Sequence, residues 1–150
     1  MRIAFTILVL AVAGVYGWSL YQEKFGGPEI DARDQFALRT VHELIEAQDA
    51  YRDKYHRYAR KLYELGPPLM PGGPSENGAN LIPRDIATGK KLSYEFSVRE
   101  YGNAFIINAD PIGPPTSPDS APLRHFYADQ SGKVRFAVGH AANEGSELVR

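Results

Sequence analysis

The sequence contains no cysteine. That removes disulfides, thiolate metal sites and cysteine nucleophiles together. It also lacks a surplus of positive charge. Its 17 Lys and Arg stand against 18 Asp and Glu, a formal net charge of −1. Nucleic-acid binding, which calls for a strongly basic face, is argued against. No internal repeat occurs at solenoid periods. One stretch has no charge at all: Ile3 to Tyr21 lies between Arg2 and Glu23.

That uncharged run, IAFTILVLAVAGVYGWSLY, is about the length of a helix crossing a bilayer's hydrocarbon core. Tyr16, Trp18 and Tyr21 crowd its C-terminal end, where amphipathic rings settle at a membrane interface. Arg2 on the short side favours a cytoplasmic N-terminus. A secretory signal peptide is the competing reading, with small residues at Ala11-Val12-Ala13 marking a cleavage site. The apolar run continues past Ala13 with bulky aromatics, which favours an uncleaved anchor. Either way, the rest of the chain is expected across the membrane. No cysteine follows the run, so a lipid-modified cysteine is excluded.

The expected organisation is an anchor or signal peptide over residues 1–24, a hinge over 25–30, one folded domain over 31–139, and a flexible tail over 140–150. Phe25-Gly26-Gly27-Pro28 supplies the hinge. A helical pattern begins near Asp31. Leu38, Val41, Ile45, Gln48, Tyr51, Tyr55, Tyr58, Leu62 and Leu65 follow at steps of three or four, the spacing of one helix face. The segment from Tyr55 to Leu65 reads either as a continuation or as a separate short helix. Arg39, Glu43, Glu46, Asp49, Asp53, Arg57 and Lys61 occupy the other face, with Arg39–Glu43 and Asp53–Arg57 as expected i,i+4 ion pairs. Gly66-Pro67-Pro68 ends the pattern. The Pro- and Gly-rich stretch 66–83 reads as a loop.

Strand signals follow. Leu92, Tyr94, Phe96 and Val98 alternate with polar residues, a period of two. Tyr101-Gly102-Asn103 predicts a turn. Ala104–Ala109 places Phe105 and Ile107 on one face. A proline-rich connection spans Pro111 to Pro122, and His125–Ala128 reads as a third strand. Asp129-Gln130-Ser131-Gly132 turns the chain into Val134–Val138, completing a hairpin, with Val134, Phe136 and Val138 alternating with Arg135 and Ala137. The predicted class is α+β: a long amphipathic helix packed on one face of a small antiparallel meander. The second sheet face is left open or covered by the proline loops.

Chemical motifs are sparse. His42 and Glu46 sit one helical turn apart in His42-Glu43-Leu44-Ile45-Glu46. Zinc proteases use two histidines at that spacing with Glu as base; here Glu46 stands in place of the second histidine. His56, His125 and His140 show no ligand spacing. Ser75 lacks the frame of a nucleophile elbow, and Gly89-Lys90-Lys91 lacks the rest of a phosphate loop. Asp110, Asp119 and Asp129, with Asn108 and Ser117, fall in loops flanking strands. Oxygen-rich loops suit calcium, and turn chemistry explains the same residues. No catalytic, cofactor-binding or metal residue is assigned, and no small-molecule substrate is inferred.

Several segments in order resemble a known family. Ala37-Leu38-Arg39-Thr40 and Gln48-Asp49-Ala50-Tyr51 are followed by Tyr55-His56-Arg57-Tyr58-Ala59 and Leu62-Tyr63-Glu64-Leu65. Downstream are Gly89-Lys90-Lys91-Leu92-Ser93-Tyr94-Glu95-Phe96 and Phe126-Tyr127-Ala128-Asp129-Gln130-Ser131-Gly132-Lys133-Val134-Arg135. This order, across most of residues 31 to 136, resembles pilin-like proteins of the type IV pilin and type II secretion pseudopilin class. The resemblance implies a structural role without catalysis. It implies a single-pass protein of the bacterial inner membrane, with its C-terminal domain periplasmic or extracellular. The implied partners are membrane lipid along residues 3–21 and other membrane or secretion-complex subunits. The N-terminus departs from the family pattern. Phe5-Thr6-Ile7-Leu8 echoes the processing motif, but Ala4 replaces the cleavage-site Gly and Val9 stands where Glu is expected. The alternatives are an accessory subunit of another membrane complex and a periplasmic metal-binding or hydrolytic domain using His42 and Glu46.

Overall fold

The computed structural model describes residues 31–113 and 121–150. The expected anchor and hinge, together with Ser117 and Asp119, lie outside the described residues. Among the described residues no helix is long and apolar enough to cross a membrane.

The fold is α+β. Helix α1 spans Ala32–Tyr55, about 36 Å at 1.5 Å per residue. Asp31 caps it, its carboxylate accepting the Arg33 N–H at 2.8 Å, so an otherwise orphan donor is satisfied. His56 ends it in the left-handed conformation at φ 59°. Two single-turn helices follow, α2 at Leu62–Leu65 and α3 at Arg84–Ala87. The short-helix alternative for the segment before Leu65 is the one observed.

Six strands then form one antiparallel sheet in sequence order. They are β1 Lys90–Lys91, β2 Tyr94–Tyr101, β3 Ala104–Pro111, β4 Arg124–Asp129, β5 Val134–Val138 and β6 Glu147–Leu148. The four strands legible in the sequence are β2 to β5. The additions are the two-residue edge strands β1 and β6. Short edges limit pairing with other chains.

Leu92 was expected in a strand. It instead forms the β1–β2 turn with Ser93, at φ 49° and 66°, and is 54% exposed. Both central residues with φ above zero match the primed turn whose twist fits a tight hairpin. Gly102, at φ 64°, supplies the β2–β3 turn.

One core lies between α1 and the sheet. Tyr94, Phe96 and Val98 of β2 share it with Phe105, Ile107 and Ala109 of β3, Phe126 and Ala128 of β4, and Val134 of β5. The helix contributes Ala37, Val41, Leu44, Ala47 and Tyr51. Asp34, Thr40 and Gln48 are buried with them. The buried face is therefore rotated from the expected stripe: Leu38, Ile45 and Tyr55 are only partly buried. Small side chains explain the shift. Ala37, Thr40 and Ala47 let the helix approach the sheet, and the bulkier Leu38 and Ile45 flank the contact.

Asp34 is buried because it has partners. The Tyr94 hydroxyl lies 2.6 Å from its Oδ1, the Arg124 N–H donates to the same oxygen at 3.2 Å, and the Arg124 guanidinium is 3.7 Å from Oδ2. These contacts tie the start of α1 to β2 and β4.

The C-terminal tail is not loose. Leu148 pairs with Arg135 and Glu147 with Phe136. The Val149 N–H donates to the Val134 carbonyl at 3.0 Å. Ala142 packs with Tyr127, Ala137 and Ile106 in a second small cluster. Tyr127 and Ala137 alternate with the core residues of their strands, so this cluster marks the other sheet face. The folded domain therefore runs past residue 139. In β5, Val138 is 44% exposed while Ala137 is buried. Ala142 of the tail shelters the face that carries Ala137.

Candidate functional site

The most distinctive surface is built where α1 ends. Gln48, fully buried, reaches across to Ala59. Its Oε1 accepts the Ala59 N–H at 2.8 Å, and its Nε2 donates to the Ala59 carbonyl at 3.0 Å. The amide thus stands in for a strand partner and fixes the turn after the helix.

A charged network lies beside it. The Tyr51 hydroxyl is 2.8 Å from the Glu76 carbonyl and 3.2 Å from Glu64 Oε2. That same Glu64 oxygen accepts from Arg57 Nη1 at 3.0 Å and from the Arg60 N–H at 3.1 Å. Arg57 Nη2 donates to Glu76 at 3.2 Å, and its guanidinium sits 5.1 Å over the Tyr51 ring. Glu64 is only 6% exposed. A carboxylate so buried is tolerated because three donors surround it. Burial, followed by the neighbouring Glu64 charge, pushes the Tyr51 hydroxyl above its ordinary value, so it stays a donor. Burial works against the Arg57 charge, but the bonds to Glu64 and Glu76 outweigh it and raise its pKa. Arg57 therefore serves this network rather than the expected pair with Asp53. The helix has already ended at Tyr55, so the i,i+4 geometry never forms. Arg39–Glu43 is likewise not among the ion pairs of the described residues.

This base holds the loop after α2. The Ala79 N–H bonds the Glu64 carbonyl, that of Asn80 bonds Gly66, and that of Leu81 bonds Leu65, each at 2.8 Å. Gly78 lies so close to Pro68 that a Cβ there would meet its Cα at 2.6 Å, so only glycine fits. Between these anchors the tip projects. Leu69 is 71% exposed, Met70 78% and Tyr63 42%. A groove of about 610 Å³ runs along them, lined further by Pro68, Pro71, Gly72, Gly73, Ser75 and Asn77. No charged side chain lines it. Its chemistry is apolar contact with a few neutral hydrogen-bonding groups, a composition typical of interaction patches.

The sequence candidates for chemistry are dispersed. His42 and Glu46 are both exposed on α1. Among the described residues no group of three or more His, Asp or Glu converges as a metal site would require. Asp110 Oδ1 lies 2.6 Å from His125 Nδ1 on the sheet. Asp129 accepts the Ser131 N–H at 2.8 Å and shapes its turn. Asp129 is opposite Ile106 in the β3–β4 register, four residues along β3 from Asp110, about 13 Å, so the two do not share a calcium site. Ser75 sits in an exposed turn, its N–H and carbonyl paired with Gly78. Lys90 and Lys91 pair with Glu95 and Asp85.

The loop tip and the buried acids carry little signal in the sequence. Leu69-Met70 between prolines was the available signal, an apolar pair with no periodic element to bury it. Asp34 and Glu64 gave none, because their burial depends on partners distant in sequence. Comparison with protein-family models, curated proteins and solved structures finds no match.

Proposed function

We propose that the chain is a non-enzymatic, membrane-anchored, pilin-like structural protein that works through protein contacts in a secretion or pilus apparatus. Residues 3–21 would hold it in the bacterial inner membrane, with the folded domain on the periplasmic or extracellular side. The observation that carries this reading is the exposed Leu69–Met70 tip on a braced base. A loop held by Glu64, Arg57 and Gly78 keeps an apolar surface in water, which makes sense for a surface meant to be covered. The α1-on-meander fold and the uncharged run ahead of it support the same reading. A second reading, an accessory subunit of another membrane complex, is favoured by one feature. No acidic residue precedes Glu23, while Ala4, Ala11, Ala13, Gly14 and Gly17 suit close helix packing.

The test is fractionation of the native protein followed by co-purification. Resistance to carbonate extraction and loss of co-purifying subunits in L69S/M70S support the proposal. A soluble mature form beginning near Gly14 overturns the anchoring. Unchanged partners in L69S/M70S overturn the role of the tip.

A further inference from the structure

A second groove, of about 430 Å³, runs along α1 between Glu43, Glu46, Ala47 and Ala50 on the helix and Leu81, Ile82 and Pro83. Its floor is apolar, and Leu81 is 38% exposed. Its helix rim is acidic. Glu43, Glu46, Asp49 and Asp53 follow at steps of three, three and four, so they neighbour one another on the helix surface. All four are exposed. None has an ion-pair partner among the described residues. Asp31, Asp34, Glu64, Glu76, Asp85, Glu95 and Glu100 each have a Lys or Arg partner; Asp129, Glu144 and Glu147 share the row's lack of one among the described residues, but they lie apart in turns and the tail rather than along one groove. Arg52, bonded to the Tyr58 hydroxyl at 2.6 Å, also interacts with Asp49 and Asp53; Glu43 and Glu46 are the two acids of the row that line the groove. Like charges at this spacing destabilise a free helix, and a cationic partner would relieve that repulsion.

We propose that this groove docks a basic, apolar-anchored segment of a partner protein. Its Lys or Arg side chains would face Glu43 and Glu46, and an apolar side chain would seat on Ala47, Ala50 and Leu81. This rests on the reading that the protein acts through protein contacts and names the class of partner. Anionic ligands and anionic lipid headgroups are repelled by the same rim.

The experiment uses the full-length chain in a non-ionic detergent, with three peptide probes. These are an amphipathic Leu/Lys peptide, a Leu/Glu peptide of the same apolar pattern, and a Ser/Lys peptide of the same charge pattern. Affinities are compared between the wild-type chain and E43K/E46K in the same detergent, so partition into micelles cancels. The Leu/Lys peptide should bind at least about tenfold more tightly than either other peptide. It should weaken by at least about tenfold in E43K/E46K and again on raising salt from about 50 to about 300 mM. Should E43K/E46K misfold by circular dichroism, E43Q/E46Q carries the comparison and should lose most of the salt dependence. Equal binding to wild type and variant, or equal binding of the Ser/Lys peptide, overturns the proposal. So does concentration-dependent self-association abolished by E43K/E46K, which would assign the groove to a second copy. Carbonate extraction of the same preparation reports on anchoring separately, so a failure there is distinguishable from a failure here.

Discussion

Gln48 and Ala59 are joined by two hydrogen bonds, one in each direction, between a side-chain amide and a backbone eleven residues away. The pair is fully buried, so neither backbone group has water to fall back on. Replacing Gln48 with Ala strands both Ala59 groups and leaves a cavity. An unsatisfied buried group costs about 1–3 kcal/mol, so Gln48→Ala should lose about 2–5 kcal/mol in urea unfolding. A loss under about 1 kcal/mol would mean the turn after α1 holds without this clamp.

That clamp also shows why part of the fold was hidden in the sequence. The strands β2 to β5 were legible because Tyr94, Phe96 and Val98, and then Phe105 and Ile107, alternate with a period of two. The start of α1 was legible from Asp31, and the stop before the proline loop from Gly66-Pro67-Pro68. The end of α1 was not, because no Gly or Pro marks His56. The chain leaves the helix there to satisfy Gln48 and the Arg57–Glu64 pair, both non-local. Burial of Asp34 and Glu64 was equally invisible, since an isolated carboxylate reads as solvent-exposed. The tail escaped notice because Ala142 and Leu148 form no periodic run. The groove rim at Glu43 and Glu46 was visible as a charged helix face, but its apolar floor needed Leu81 and Ile82 brought in from the loop.

The β1–β2 turn stores backbone strain that substitution can release. Leu92 and Ser93 both hold positive φ, a region costing most L-residues about 1–2 kcal/mol each. Asn-Gly suits the turn. The double substitution L92N/S93G should stabilise by about 0.5–2 kcal/mol, and it also removes an exposed leucine. A fall in the thermal midpoint would show that Leu92 makes a contact worth more than the strain.

Tyr55 carries a buried hydroxyl with no hydrogen-bond partner among the described residues, while its ring packs 4.7 Å from that of Tyr51. Removing a group that is desolvated and unpaired should help rather than harm. Tyr55→Phe is expected to be neutral or to stabilise by up to about 1–2 kcal/mol. A clear loss of stability in denaturant titration would reveal a partner for that oxygen.

The tyrosines set the alkaline limit of the fold. Tyr94 is raised above its ordinary 10.0 first by burial and then by its bond to Asp34. Tyr51 is raised by burial and then by Glu64, and Tyr127 by burial and then by Asp129. The folded state holds these hydroxyls neutral while the unfolded state ionises them near 10. Their stabilisation is therefore complete below pH 10 and is lost progressively above it. Tyrosinate absorbance should show Tyr51, Tyr94 and Tyr127 ionising above pH 10, together with loss of the helical circular dichroism. Ionisation of these three near pH 10, with the fold intact, would contradict this.

Glu64 offers the sharpest separation between bracing the tip and folding the domain. Its Oε2 takes bonds from Arg57 and the Arg60 N–H and lies within reach of the Tyr51 hydroxyl, while its own backbone carbonyl receives the Ala79 N–H. Glu64→Ala leaves Arg57 with the exposed Glu76 as its one carboxylate partner among the described residues, beside the Tyr58 carbonyl and the Tyr51 ring. Arg57 is 26% exposed and keeps Glu76, so the cost is that of the lost hydrogen bonds, about 1–3 kcal/mol, against under about 0.5 kcal/mol for the exposed Glu43→Ala. The loss should be local first. Amide exchange should quicken across residues 57–80 while Phe105, Ile107 and Phe126 stay protected, because the sheet core makes no bond to this carboxylate. Partner contact through Leu69 and Met70 should weaken together with that exchange, since an apolar tip on a loosened base must be ordered again on binding. Glu64→Gln, which keeps an acceptor oxygen but not the charge, should fall between the two. Uniform exchange across loop and sheet would instead make Glu64 part of the global core, and the tip would then owe its rigidity to Gly78 and the prolines alone.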